Sequence, residues 1–289
     1  MNNPAEDSIR IAREYMDSLQ VESRLLGAEE PSSDFEFLGE RFSTPVMTAA
    51  LSHIDLKGMA EGAVRAGAAV SIGMGDNETL KSVLDTGAKV MKIVKPYANR
   101  DDIRDRIRFA EAHGAIAVGI DVEHSIHADD PSPDNVFGFE MKLPSLGELR
   151  DFIRSTRLPF FIKGVLSVKD AVRCVELGCA GVILSHHNGI MRCAVPPVRL
   201  LPKIRQAVGR KLILIADGGM ESGFDVFKAL ALGADAVTVG RPLMAPLKEK
   251  GPAGVKDVLD AMTAQLRVMM YRTASRDLKH IDPSVIWER

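Results

Sequence analysis

The sequence predicts a (β/α)8, or TIM, barrel built as a single domain over residues 1–289. Three observations predict it: eight short apolar runs follow one another from Pro45 onward, amphipathic stretches separate them, and glycine closes several of those stretches just before the next run. The runs are PVMTAAL (45–51), AAVSIG (68–73), KVMKIVK (89–95), AIAVGID (115–121), PFFIKGV (159–165), AGVILSHH (180–187), LILIADGG (212–219) and AVTVGRP (236–242). They are continuously apolar rather than alternating, as parallel strands covered on both faces are. LKGMAEGAVRAG, NETLKSVLDTG, RDDIRDRIRFAEAHG and SVKDAVRCVELG supply helices between them. Gly67, Gly87, Gly114, Gly178 and Gly233 stand where a left-handed residue stops a helix. An open doubly wound sheet is the competing architecture, but no GxGxxG follows the first run.

Residues 1–44 form an N-terminal capping segment. SIRIAREYMDSLQVESRLLG reads as an amphipathic helix and DFEFLGERFSTP as a short hairpin that caps the barrel's bottom. Residues 122–144 carry neither period and are expected as a loop over the C-terminal mouth. A final helix over roughly 254–273 closes the barrel. The 37 Lys+Arg and 39 Asp+Glu leave a net charge of -2, which gives no field to draw in nucleic acid or an anionic membrane. No apolar stretch reaches the ~20 residues of a bilayer helix, and Met1 opens no secretory signal. Cys174, Cys179 and Cys193 form no CxxC pair. A cytoplasmic enzyme is therefore expected.

In such a barrel, function gathers at the C-terminal ends of the strands. Those ends carry Ser52 and His53, Lys95, Asp121, Lys163, then Ser185, His186, His187 and Asn188, then Asp217, Gly218 and Gly219, and finally Gly240 and Arg241. Glycine-rich turns after strands seven and eight, with a helix N-terminus and an arginine, make a phosphate site. Lys163 interrupts an apolar run, which suits a Schiff-base lysine, a cation beside an electron-rich ring, or a solvated strand edge. His186 and His187 are neighbours on a strand and face opposite ways, so one enters the mouth. Asp121 is expected to orient that imidazole and raise its basicity. A metal-dependent barrel is the rival reading, with His53, His124, His127, His186 and His187 near Glu123, Asp129 and Asp130. The first strand lacks the HxH pair that would support it, and no metal site is assigned.

IKGVLSVKDAVRCVELGCAGVILSHHNG (162–189) and DGGMESGFDVFKALALGADAVTVGRP (217–242) resemble the FMN-dependent α-hydroxy-acid oxidase and dehydrogenase family, and the likeness runs from about residue 45 to 278. The resemblance implies an FMN-binding barrel that oxidises a small organic substrate, a 2-hydroxy acid, by hydride transfer to flavin N5. It makes His187 the base, Asp121 its carboxylate partner, and Lys163 the cation beside flavin N1 and O2. Asp217, Gly219, Gly240 and Arg241 would hold ribityl and phosphate, with Ser185 and Gly218 in the same cradle. Ala50, Leu51 and Ser52 would add backbone contacts. The family also implies a homo-oligomer, a tetramer or octamer, with an electron acceptor that the residues do not name.

Several positions depart from that pattern. Ile190 and Ala128 stand where the family carries its substrate arginines, Lys95 replaces a tyrosine, Ile93 a glutamine, and Glu221 an arginine near phosphate. Lys95 and Arg192 are the candidate replacements for the missing carboxylate clamp. A non-redox FMN-dependent isomerase, or a phosphate-binding isomerase without flavin, stays open beside the metal enzyme.

Overall fold

A computed structural model describes residues 4–126, 132–187 and 189–288. His127, Ala128, Asp129, Asp130 and Asn188 lie outside the described residues. Eight parallel strands form one sheet: β1 (Val46–Thr48), β2 (Val70–Ile72), β3 (Val90–Val94), β4 (Ala117–Asp121), β5 (Phe160–Lys163), β6 (Gly181–Leu184), β7 (Ile213–Asp217) and β8 (Ala236–Val239). Strands β2 to β8 pair successively in chain order, and β8 pairs back onto β1.

The remaining seam, between β1 and β2, has no regular ladder and is closed by the Thr48 hydroxyl together with isolated backbone bonds, one of them from Thr48 N to Ala69 O at 3.3 Å. The Thr48 hydroxyl accepts from Ser71 N at 3.0 Å and donates to Ser71 O at 3.2 Å, and Gly73 N donates to Leu51 O at 3.2 Å. Glycine at 73 permits this approach, because a Cβ there would stand 2.6 Å from Ala50 O. The sheet is therefore a closed barrel and not an open doubly wound sheet.

Alternation along the strands decides what the barrel holds. Met47, Met91, Ile93, Ala117, Phe161, Ile183, Ile215 and Ala236 fill the interior. The hairpin Phe35–Phe37/Glu40–Phe42 plugs the bottom, with the Phe37 ring 6.1 Å from that of Phe161. Further along with the same parity come Lys95, Lys163, Ser185, Asp217 and Thr238, two residues on, and Asp121, four residues after Ala117, at the open end. The stop glycines Gly67, Gly87, Gly114, Gly178 and Gly233 all have positive φ, between 66° and 112°.

The ends of the chain differ from expectation. The first helix runs only over Pro4–Ser18, and Leu19–Val21 pairs antiparallel with Ile286–Glu288. Local pattern could not announce a strand whose partner is the other end of the chain. A helix at Arg241–Lys250 precedes the final one, Pro252–Arg272. Within 122–144 a 3-10 turn, Glu123–Ser125, leads to a small hairpin, Asn135–Val136/Phe139–Glu140, whose Glu140 O accepts from Ala98 N at 2.8 Å. Among the described residues no helix is long and apolar enough to cross a membrane.

Arg13 fastens the first helix to the turn after β7. Its guanidinium binds both oxygens of Asp225, at 2.9 and 3.1 Å, and reaches Gly219 O at 3.3 Å. Burial raises the pKa of Asp225, but Arg13 outweighs this and holds it below the ordinary aspartate value. The stabilisation is complete above the unfolded pKa of ~3.9 and is lost as pH falls through the lower folded value. Arg13→Ala is expected to cost about 1–3 kcal/mol near neutral pH, because it leaves a buried carboxylate without its cation. Thermal melts should show that penalty shrinking below about pH 4.

Candidate active site

The polar residues at the mouth form one connected cluster. Lys163 Nζ donates to Ser185 Oγ at 3.1 Å and meets Nδ1 of His187 at 3.1 Å. It lies 3.6 Å from Asp121 and 3.8 Å from Asp217. Lys95 Nζ donates to Asp121 at 2.9 Å, and Nδ1 of His187 is 3.0 Å from the same carboxylate oxygen. Asp217 accepts from the Ser185 and Thr238 hydroxyls, each at 2.8 Å. Thr238 lies within an apolar strand and short of the strand-end positions, so no sequence signal singles it out.

Burial governs the charges. It opposes the Lys163 cation, yet Asp121, Asp217 and Glu123 outweigh that cost and hold its pKa above the ordinary lysine value. Burial likewise opposes the Asp121 carboxylate, but Lys163, Lys95 and His187 hold its pKa well below the usual range. Lys95 ends on the other side, lowered by burial despite Asp121. His187 corrects the sequence-based expectation of raised basicity. Burial, followed by the Lys163 cation, takes its pKa down to about 3 and outweighs the pull of Asp121.

His187 adopts φ of 41°, a left-handed conformation that is costly for histidine. Its N–H is tied to Ser185 Oγ at 3.0 Å, which brings the ring back over Lys163. His186 packs behind the strand beside Gly218, buried, with both ring nitrogens unpartnered. His53 is exposed and its ring lies 3.7 Å from that of Phe137. Of the proposed metal-binding histidines, His124 and His187 converge. With Asp121 they bring three ligand-type atoms within 4.8 Å of one another, but Lys95 and Lys163 already neutralise Asp121.

The two candidate clamps are placed elsewhere. Lys95 is buried and committed to Asp121. Arg192 is exposed in a turn tied to the first helix through Ser8 Oγ and Met191 O, 2.6 Å apart, and its charge is felt by Asp7. Sequence reasoning passed over Arg106, which lines a cavity of about 440 Å³ with Ser52, Met74, Tyr97 and Phe139. Its guanidinium lies over the Tyr97 ring at 4.5 Å, and its buried Nε has no partner. The helical period placed it on a charged outer face, which concealed it.

At the strand-seven and strand-eight ends, Gly218 and Gly219 have φ of 92° and 76°. Helix Arg241–Lys250 starts after Gly240 with no side-chain cap. A Cβ on Gly240 would stand 3.2 Å from Leu51 and 3.3 Å from Ala49, so the first-strand turn carrying Ala50, Leu51 and Ser52 presses on this end. The uncapped helix start and the permissive glycine turn suit a phosphate, and the buried Lys163 suits an electron-rich ring.

Residues 132–288 match the family model described as FMN-dependent dehydrogenase, more than half of the chain. The chain belongs to that family. It is 42% identical over 132 residues to an L-lactate dehydrogenase of Caulobacter vibrioides, covering 45% of this chain and 34% of that one. It is 40% identical over 134 residues to 2-hydroxyacid oxidase 1 of Mus musculus, covering 46% and 36%. The aligned segment thus spans about a third of these curated relatives. A crystal structure of mandelate oxidase superposes with a TM-score of 0.88 at 25% identity, covering 98% of this chain and 90% of that one.

Glu123 shows how strongly the mouth excludes solvent. Its Oε2 is sealed without a partner, and burial raises its pKa to about 8. The folded protein therefore holds a proton that the unfolded chain releases near ~4.3, and stability falls as pH rises from about 5 to 8. Glu123→Gln is expected to flatten that decline, as measured by denaturant unfolding at several pH values.

Proposed function

We propose that the chain is an FMN-dependent oxidoreductase that oxidises a small 2-hydroxy acid. The carrying observation is the buried cluster of Lys163, His187 and Asp121 facing a glycine-built phosphate cradle. The chemistry FMN supplies when bound is acceptance of a hydride at N5. Lys163 would stand against the ring. Asp217, Ser185 and the turns at Ala50–Ser52, Gly218–Gly219 and Gly240–Arg241 would hold ribityl and phosphate.

His187 would take the substrate proton, and Asp121 would fix the ring through Nδ1. A low pKa weakens the base, yet keeps the imidazole neutral and able to accept throughout the physiological range. Arg106 is the cation we assign to the substrate carboxylate, supported by its unpartnered Nε and its cavity, whose size lies within the ~300–1,000 Å³ of small-molecule sites. A homo-oligomer in the cytoplasm completes the reading. The family resemblance supports the first part, and three unbridged cysteines support the second.

Purified protein supplied with FMN should be yellow and should bleach anaerobically with a 2-hydroxy acid. Protein that stays colourless overturns the assignment. His187→Ala should slow bleaching on the order of 10²–10⁴-fold. Arg106→Met should raise KM far more than it lowers kcat, as read from initial rates against substrate concentration.

A further inference from the structure

Phe137 stands where the backbone disfavours a large side chain. The mouth hairpin pairs Val136 with Phe139, so its turn is Phe137 and Gly138, and both have positive φ, 53° and 84°. Such a turn favours Asn-Gly, because asparagine tolerates the left-handed conformation and a bulky ring is strained in it. The turn is closed without the ring, by Gly138 N donating to Asn135 Oδ1 at 3.0 Å. Phe137 is also 61% exposed, so its strain is not offset by burial within the fold. A residue that breaks a local rule with so little packing gain marks a functional position.

Its ring lies 3.7 Å from that of His53, which follows the first-strand turn and is itself left-handed, with φ of 59°. Two strained residues, one after β1 and one after β4, thus meet at the Arg106 cavity, and both line it. The other arm of the hairpin is anchored beyond β3. There Ala98 N donates to Glu140 O at 2.8 Å, and the Phe139 ring meets Tyr97 edge-on at 5.3 Å. The hairpin therefore bridges the mouth from the end of β3 to the end of β1.

The cavity is mainly apolar away from Arg106. Ile54, Leu56 and Met74 line it with the two phenylalanines. The Asp76 carboxylate is committed to Thr79, accepting from its N–H at 2.8 Å and its hydroxyl at 2.6 Å. A three-carbon acid cannot fill the space of about 440 Å³. Phe137 and Phe139, 61% and 42% exposed, offer apolar surface that a ligand's hydrocarbon would remove from water. Ser52 lines the same cavity, which therefore adjoins the cofactor site proposed above.

We propose that Phe137, braced by His53, is a specificity-determining residue. It walls the Arg106 cavity and selects 2-hydroxy acids with a large apolar side chain over two- and three-carbon ones. This rests on the function proposed above, with Arg106 on the substrate carboxylate. The hydrocarbon lies against Phe137 and Phe139, and the contact with His53 keeps the Phe137 ring in place to receive it.

The test compares 2-hydroxyoctanoate with lactate. Wild type should show kcat/KM about 10-fold or more higher for 2-hydroxyoctanoate. Phe137→Asn installs a residue that the turn favours, so its Tm should equal or exceed that of wild type. Its ratio of kcat/KM for the two acids should nevertheless fall about 10-fold, mostly through KM. His53→Ala should lower the ratio in the same direction, and His53→Phe, which keeps a ring against Phe137, should restore it. Calorimetry with octanoate and propionate, which have no hydroxyl to oxidise, reads the wall without turnover. Wild type should bind octanoate the more tightly, and Phe137→Asn should lose that margin. A wild type that favours lactate overturns the proposal, as does a folded Phe137→Asn with the wild-type ratio and octanoate affinity. A Phe137→Asn protein that melts below wild type also overturns it, since the ring would then serve the fold. If octanoate binds as expected but no hydroxy acid bleaches FMN, the functional reading fails while the apolar wall stands.

Discussion

Asp121 is a carboxylate sealed inside the barrel mouth, and the site is arranged around keeping it charged. Lys95 and Lys163 approach the same oxygen, and His187 shares it. Each cation would be unstable there alone, since burial opposes every one of them. Together they convert an unfavourable interior into a fixed pattern of charge. Lys163 in turn reaches Asp217, which orders Ser185 and Thr238. Strands β3 to β8 are thus joined by electrostatics at their ends as well as by their backbone ladders.

That arrangement follows from the two-residue period of a strand. The residues that fill the barrel, such as Ile93, Phe161, Ile183 and Ile215, are each followed two positions later by the polar group that lines the mouth. Eight apolar runs with polar ends therefore made both the barrel and most of its candidate site legible in the sequence. Lys163, Asp121, Ser185, His187 and Asp217 were all found this way. The strand period separates His186 and His187 only as facing opposite ways, and the family resemblance selects His187; the structure turns its ring toward Lys163 and Asp121.

What escaped the sequence lies where no period operates. Asp134 sits in an irregular segment, and its pairing with His124 depends on how that segment folds back over the mouth. Arg192 looked close to the site because it follows strand six, but the turn packs outward against the first helix. The pairing of Leu19–Val21 with the C-terminus has no local signal either. The lowered pKa of His187 was missed for a different reason. The carboxylate partner was visible in the sequence, while the depth of burial and the neighbouring ammonium that outweigh it were not.

The β1–β2 seam makes the barrel mechanically uneven. Elsewhere neighbouring strands share regular ladders, but here closure depends on one threonine hydroxyl, a backbone bond from Thr48 N to Ala69 O, and a bridge from Leu51 to Ile72. Ser52 and Met74, just beyond this seam, also line the cavity beside Arg106. Local opening is easiest where backbone bonds are fewest. The wall beside the Arg106 cavity is thus the part of the ring that can yield, while the Asp121 cluster remains braced.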